Sequence, residues 1–468
     1  MPEFTLEEIL TATGGRLLYT QEEGVKISGV STDSRNVSPH EVFIALRGEK
    51  FDGHDYLTQA VAKGAAALVV EREIPLEALR NVAVIIVPDT IKALGLLARY
   101  HRLRFKIPVI GVTGSNGKTT TKELISTILA EKMKVVKTEK NFNNEIGLPM
   151  TLLKIDPSTE AVVLEMGMRG RGQIAYLSSL AQPTIGVITN VGVTHLELLG
   201  TQKAIAETKA ELIQSLPSKG TAVLNGDDLL VANMAALFPG ESFYYSLDAQ
   251  HVATEILPDL YAVEVKTGED EEKVRVNGKW GEFCFALPLL GRHNIANALA
   301  ASLVGLVLGA TPKEVARGLK KVKMVEKRLR RLEFDGLTIL DDTYNASPSS
   351  VQAALDVLRK LNNPGRKIAV LGDMLELGAI SAEAHHRIGK LVADYGCSAL
   401  FAYGPVSKET IRGAADEGVF SRHFFEKEEL WEELNSYLAP GDAVLVKGSR
   451  GMRMEEIVEK IISKTGKE

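Results

Sequence analysis

Short apolar runs separated by polar loops open the chain: VFIAL from residue 42, AAALVV from 65 and VAVIIV from 82. Runs of this length bounded by turn formers predict buried strands, and the segment closes on IKALGLLARYHRLRF, whose apolar positions recur at helical spacing. From residue 108 the rhythm lengthens. PVIGVTG leads into amphipathic KTTTKELISTILAEK, and AVVLEMG, TIGVITNVG and TAVLNGD follow at intervals that leave room for a helix between each. Such alternation predicts a mostly parallel sheet. Between 242 and 290 it fails, because YAVEVKTG and KWGEFCFALPL with NG and ED turns predict an antiparallel insert. Helical HNIANALAASLVGLVLG and basic KKVKMVEKRLRRLEF (320–334), the expected linker, lead into a third unit built on LTILDD, KIAVLGD, ALFAYG and AVLVKGS. The expected fold class is α/β in three domains. An N-terminal α/β domain spans 1–106, a central domain with a mostly parallel sheet spans 107–326, and a Rossmann-like domain spans 327–468.

Composition sharpens this picture without changing it. At 468 residues, 45% hydrophobic and 25% charged, the chain sits at the globular average and has length for about three domains. A net charge of −5 gives no general basic field for nucleic acid or an anionic membrane. No apolar run approaches the roughly 20 residues of a spanning helix, and the acidic start MPEFTLEEILTATGG predicts no secretory signal. Cys284 and Cys397 are too few for a disulfide framework and stand in no metal-ligand spacing. The expectation is a cytoplasmic protein that works on small molecules, with no nucleic acid and no membrane insertion.

The strongest chemical signal is GVTGSNGKTT at 111–120: a strand, a glycine-rich turn, then Lys118 and Thr119 at the start of a helix. Backbone N–H groups from Gly114 to Gly117 can surround phosphate oxygens, Lys118 adds a point charge, and the Thr119 hydroxyl can reach magnesium. The strict spacing fails at one position, where Val112 replaces the first glycine. Glu165 ends the next predicted strand and His195 follows the one after, so a parallel sheet delivers both to the rim that carries the phosphate loop. Alone, each reads as an ordinary strand-end residue; together they favour a nucleoside triphosphate site. Lys209 reads as a solvated helix lysine, DDTYNASPSS as a polar turn with a helix cap at Ser347 or Ser349, and KGSRG at 447–451 is equally ambiguous.

VTGSNGKTT, NFNNEIGLP, LEMG, NVGVTHLE, ETKAEL, GRHNIANALAA and a third-unit strand ending in DD together resemble the Mur ligase family of ATP-dependent peptide-bond-forming enzymes, over nearly the whole chain. STDSRNVSPHEVFIALRG with DGHDY, DDTYNASP and LGDMLELG resemble the branch of that family that adds D-Ala-D-Ala to UDP-N-acetylmuramoyl-tripeptide. The resemblance implies that the substrates are these two small molecules and ATP, that Mg2+ is required, and that the protein acts as a monomer. It places Ser31, Thr32, Asp33, Ser34 and Arg35 near the uridine nucleotide. Thr113, Gly114, Ser115, Asn116, Gly117, Lys118, Thr119 and Thr120 are implied to hold the ATP phosphates, and Asn294 and Asn297 to face the adenine. Arg328 and Asp342 are implied to reach γ-phosphate and ribose from the third domain, with Tyr344, Asn345 and Ser347 lining the closed cleft. Thr119, Glu165 and His195 are implied metal contacts, Asn143 or Asn144 a phosphate or acyl contact, and Lys209 the lysine that family members carbamoylate. Two departures stand out. Lys327, Arg328 and Leu329 occupy a Gly-Arg-Leu position with Arg330 and Arg331 close behind, leaving open which arginine meets ATP, and Ser347 replaces an asparagine. The implied chemistry runs through an acyl phosphate, with the third domain closing over it.

Overall fold

The computed structural model describes residues 2–20, 26–48, 51–73, 82–248, 256–323 and 326–463. The three apolar runs of the first unit become Val42–Ile44, Ala67–Val70 and Ala83–Ile86, neighbours in parallel register. Val30–Ser31 adds to one edge in parallel and Arg16–Tyr19 to the other in antiparallel sense. Helix Thr90–Arg102 starts at Asp89, whose carboxylate accepts from the Lys92 N–H at 2.9 Å. Its apolar face packs into a core with Ile44, Val69 and Ile85 of its own sheet and reaches beyond it. Leu94 and Leu97 belong to one core with Leu148, Leu152, Ile174 and Leu177 of the central unit. Arg102 Nε donates to the Ala181 carbonyl at 3.0 Å, and His101 Nε2 lies 2.8 Å from the Ile155 carbonyl. The first unit is thereby cemented to the second.

The central sheet has nine strands. Val109–Thr113 runs between Ala161–Glu165 and Ile185–Ile188, all parallel, so the phosphate loop, Glu165 and the segment leading to His195 leave adjacent strands at one rim. The expected antiparallel insert is present at 260–287, and only its first strand is corrected, to parallel. Glu241–Ser246 pairs in parallel with Thr221–Asn225, and Leu260–Thr267 in parallel with Glu241–Ser246, so the sheet continues without interruption. Only Leu260–Thr267, Glu272–Gly278 and Phe283–Leu287 pair antiparallel, as its outer edge. Local turn signals mark hairpins but carry no information about which sheet a hairpin joins.

The third sheet orders Leu337–Asp342, Ala443–Lys447, Lys367–Gly372, Ala399–Tyr403 and Phe420–Phe424 in parallel. The end of the expected linker is also corrected: Arg330–Phe334 is an antiparallel edge strand against Leu337–Asp342. Leu332 and Phe334 alternate among the charges and pack on the core beneath, a period of two that the basic residues hide. Met324 and Val325 of that linker lie outside the described residues. No helix among the described residues is long and apolar enough to cross a membrane.

Candidate functional site

All three units contribute to one cleft of about 1130 Å³. Its floor is the turn between strand Val109–Thr113 and helix Lys118–Leu129. Gly114 and Gly117 have φ of +150° and +84°, and a Cβ on either would lie 1.8 Å from Thr189 Oγ1 or 2.3 Å from Asn297 Oδ1. Both positions exclude any side chain. The loop is braced by the segment after Ile185–Ile188. The Asn116 N–H donates to Asn190 Oδ1 at 2.9 Å, Asn190 Nδ2 to the Asn116 carbonyl at 3.0 Å, and the Ser115 N–H to the Asn190 carbonyl at 2.9 Å. Lys118 Nζ curls back to the carbonyls of Gly114 at 2.9 Å and Ser115 at 3.2 Å. Burial pushes its ammonium below the usual lysine range against the pull of Glu165, and Arg328 adds to the push. An anion arriving in the loop would meet a cation held only by neutral carbonyls.

Beside the loop, Thr119 Oγ1 donates to Glu165 Oε2 at 2.7 Å and Asn143 Nδ2 to Glu165 Oε1 at 2.8 Å. Asn144 points elsewhere: its Oδ1 accepts from the Gly147 N–H at 2.9 Å and Ile146 N–H at 3.3 Å, closing the turn before helix Gly147–Leu152. Of the two candidates, only Asn143 touches the acidic centre. His195 lines the cleft with φ +67°, and its Nδ1 lies 2.5 Å from Glu376 Oε2, a close contact, ionic when the imidazole is protonated, whose angles fall outside those of a hydrogen bond. Burial lowers the imidazole's pKa, Glu376 opposes that, and Lys118 and Lys209 reinforce it. Lys209 lies on helix Gln202–Gln214 and is fully buried, outside the cleft lining. Burial first, then Lys118, drive its pKa well below the ordinary value. The solvated helix lysine expected from residue pattern alone is therefore overturned.

From the third unit, Arg328 enters the cleft with its guanidinium 4.1 Å from the Tyr344 ring centroid and its Nε buried without a hydrogen-bond partner among the described residues. The other two arginines point away from this role. Arg330 is exposed and absent from the lining, and Arg331 is tied to Glu333 at 2.7 Å and Asp270 at 2.9 Å. Asp342 accepts from the Leu329 N–H at 3.0 Å and from Lys447 Nζ at 2.5 Å, and Lys447 also donates to the Asn345 carbonyl at 2.8 Å. Ser347 caps helix Pro348–Lys360 and donates to Asn116 Oδ1 at 3.2 Å, so its hydroxyl ties the phosphate loop to the third unit.

The cleft brings together Ser115 to Thr120, Asn143, Asn144, Glu165, His195, Asn294, Asn297, Arg328, Asp342, Tyr344 and Asn345. Thr113 and Gly114 sit just beneath it, Thr113 being buried with its hydroxyl donating to the Met166 carbonyl at 2.9 Å. Asn297 supports the loop from below, accepting from Thr121 Oγ1 at 3.2 Å and donating to Asn294 Oδ1 at 3.3 Å. Residues Ser31 to Arg35 are not part of this cleft. They form their own turn, in which Arg35 grips Asp33 through two bonds of 2.8 Å and Ser34 Oγ donates to Gln59 Oε1 at 2.7 Å. The arginine holds the Asp33 carboxyl down at about 2. Sequence reasoning missed Asn190, Glu376, Lys447 and Arg450, and the first unit's Asp89 and Lys92 at the rim. Lys447 and Arg450 lie in KGSRG at a parallel strand's carboxyl end, the one signal that could have raised them.

Three family models match the chain: the Mur ligase family catalytic domain over 26–102, the Mur ligase middle domain over 112–305, and the Mur ligase glutamate ligase domain over 327–450. The UDP-N-acetylmuramoyl-tripeptide--D-alanyl-D-alanine ligase of Bacillus subtilis is 39% identical over 461 residues, covering 98% of each chain. That of Synechocystis is 40% identical over 445 residues, covering 94% of this chain and 93% of its own. Among solved structures, MurF from Acinetobacter baumannii superposes with a TM-score of 0.90 at 30% identity over 99% of both chains. MurF from Thermotoga maritima in complex with ADP gives 0.80 at 30% identity, over 93% of this chain and 97% of that one.

Proposed function

The chain belongs to the Mur ligase family, and we propose that it uses ATP to join D-alanyl-D-alanine to UDP-N-acetylmuramoyl-tripeptide. The products are UDP-N-acetylmuramoyl-pentapeptide, ADP and phosphate, a step of peptidoglycan precursor synthesis. The observation that carries this reading is the convergence of Lys118, Glu165 and Arg328, from two units, on one cleft whose rim a third unit completes. In this reading residues 1–106 hold the UDP end of the substrate through Ser31 to Arg35. Residues 107–326 bind ATP, and 327–468 complete the ATP site and receive the dipeptide.

A carboxylate does not acylate an amine directly, because oxide or hydroxide is too poor a leaving group at neutral pH. The terminal carboxylate of the tripeptide attacks the γ-phosphorus, the bond to the ADP oxygen breaks, and an acyl phosphate results. The neutral amine of D-Ala-D-Ala then attacks the acyl carbon, phosphate leaves with the C–O electron pair, and the amine's proton is lost. Lys118 turns from its loop carbonyls to the β- and γ-phosphates, and Arg328 meets the γ-phosphate from the other wall. Asn294 and Asn297 face the adenine, and Asp342, held by Lys447, takes the ribose. Tyr344 and Asn345 close the nucleotide side and keep water from the acyl phosphate.

The donors fit magnesium. Thr119 and Glu165 offer hard oxygens side by side, and no cage of three or more acidic, histidine or cysteine side chains is found among the described residues. This suits an ion that keeps waters and takes its remaining ligands from phosphate. Bound there, it would screen charge on the transferring phosphoryl group, with His195 as a second contact. Lys209 is buried, and burial followed by nearby Lys118 lowers its pKa well below the ordinary value, which favours the free amine that takes up carbon dioxide. An N–C bond forms, a proton is released, and the resulting carbamate is an anion beside Lys118. We also infer a monomer acting in the cytoplasm, where ATP is available and the two free cysteines stay reduced.

The test is phosphate release with UDP-N-acetylmuramoyl-tripeptide, D-Ala-D-Ala, ATP and magnesium, omitting one at a time. Release that needs all four, with a pentapeptide product by mass, supports the reading. Release without the muramoyl substrate identifies a simple ATPase instead.

A further inference from the structure

His195 and Glu376 meet across the boundary between the central and third units, and both hold left-handed backbone, at φ +67° and +64°. That conformation strains any residue with a Cβ, and it occurs here on the two residues that make the contact. Nδ1 of His195 lies 2.5 Å from Glu376 Oε2, and the Glu197 N–H donates to the Glu376 carbonyl at 3.2 Å. Gly378, at φ +58°, passes so close that a Cβ there would be 3.2 Å from the Glu197 Cα. The contact is thus a docked pair of loops, with one side chain from each in the cleft.

Each loop is fixed to its own unit. On the third unit, the Leu375 N–H donates to Ser449 Oγ at 2.9 Å, the Met374 N–H to His385 Nε2 at 3.0 Å, and the Ser407 N–H to Asp373 Oδ1 at 2.7 Å. Glu376 is therefore carried by the third unit as part of a rigid corner. On the central unit, the His195 carbonyl accepts from the N–H groups of Leu198 and Leu199, both at 3.1 Å. A carboxylate 2.5 Å from Nδ1 fixes that edge of the ring towards the third unit and turns Nε2 the other way, which suits a histidine acting as a ligand through Nε2.

We propose that Glu376 is a positioning residue that orients the His195 ring only when the third unit is closed on the central one. The phosphoryl-transfer site is then complete only once the unit that receives the dipeptide is in place, which protects the acyl phosphate from forming in an open cleft. This rests on the reading of His195 as part of the ATP site.

The experiment compares Glu376→Ala, Glu376→Gln, His195→Ala and the double variant His195→Ala/Glu376→Ala in the full-length enzyme, by steady-state kinetics and by thermal unfolding. Glu376→Ala is expected to lower kcat by about 10–100-fold with the KM for ATP held within about twofold, as losses of a ligand's outer partner do. Glu376→Gln, which keeps the reach and loses the charge, should fall between it and the native enzyme. The double variant should be no slower than His195→Ala, and the unfolding midpoint should not move. Normal kcat in both Glu376 variants, with His195→Ala inactive, would overturn the proposal and leave the site reading intact. A higher KM for D-Ala-D-Ala at unchanged kcat would overturn it in favour of a dipeptide contact, and a double variant slower than both singles would overturn it in favour of independent roles. Native kcat in His195→Ala would remove the site reading, and the proposal with it.

Discussion

Thr119 Oγ1 and Glu165 Oε2 are joined at 2.7 Å, although they come from a helix N-terminus and the end of a neighbouring strand. Hydroxyl and carboxylate thus face each other and would offer a magnesium ion two hard oxygens. The Thr138 hydroxyl accepts from the Glu165 N–H at 3.0 Å, and Asn143 occupies the second carboxylate oxygen, so the group is preset from both sides. Asn143→Ala should therefore raise the magnesium concentration for half-maximal activity by about 10–100-fold, as loss of an outer partner does. Glu165→Gln should raise it further. Magnesium titration of phosphate release measures both, and an unchanged titration in Glu165→Gln would remove the carboxylate from the metal site.

Gly117 makes a second prediction. A methyl group there meets Asn297 Oδ1 at 2.3 Å, on a backbone at φ +84° that costs an alanine about 1–2 kcal/mol. Gly117→Ala should weaken ATP binding by roughly tenfold or more, an energy of about 1.4 kcal/mol. Adding Asn297→Gly removes the clash but neither the backbone cost nor the loss of the amide facing the adenine, so the pair should stay below native affinity in a calorimetric titration while binding no worse than Asn297→Gly plus the backbone cost alone.

How much of this was legible in the sequence depended on how local each signal was. The phosphate loop and Glu165 follow from runs of contiguous residues, since a parallel strand delivers what ends it to a predictable rim. A helix cap at Ser347 or Ser349 was legible for the same reason, and Ser347 is the one that caps. Arg330–Phe334 was not, because its two apolar side chains are interleaved with charges and the segment reads as solvated linker. The antiparallel strands at 260–287 were legible from their turns, but their place at the edge of the central sheet was not, because strand neighbours across a sheet are chosen by tertiary packing, not by turn residues. Lys209 looks like any helix lysine until burial removes its solvent. Asn190 and Glu376 act through contacts with residues far along the chain or in another unit, which no window of sequence contains.

The arginines at the entry to the third unit separate cleanly. Arg328 stacks on Tyr344 inside the cleft, whereas Arg330 is exposed outside it. Arg328→Ala should raise the KM for ATP or lower kcat by about tenfold or more, given roughly 1.5–3 kcal/mol for hydrogen bonds to charged groups. Arg330→Ala should leave both parameters and stability near native, within about 0.5 kcal/mol as at ordinary surface sites. Kinetics on the two single variants decide it, and a reversed pattern would assign the phosphate contact to Arg330.

Lys209 sets function against stability. Its folded pKa lies well below the ordinary 10.5, so the unfolded chain binds the extra proton throughout the window between the two values. Stability from this group is therefore lost as pH falls through that window and is regained as pH rises towards 10.5. In buffer free of carbon dioxide, Lys209→Met should raise the unfolding midpoint, by about 2–4 °C for each kcal/mol relieved in a domain of this size. The gain should be largest at the acid end and shrink towards alkaline pH, because only the native lysine responds to pH there. The same substitution should abolish ligation. Lys209→Ala, which leaves room, should regain part of its activity with short carboxylic acids that supply the missing anion. Full activity in Lys209→Ala without any acid would show that neither the amine nor a carbamate built on it is needed, whereas a stabilised, inactive Lys209→Met would show that the buried lysine is kept for chemistry at the expense of the fold.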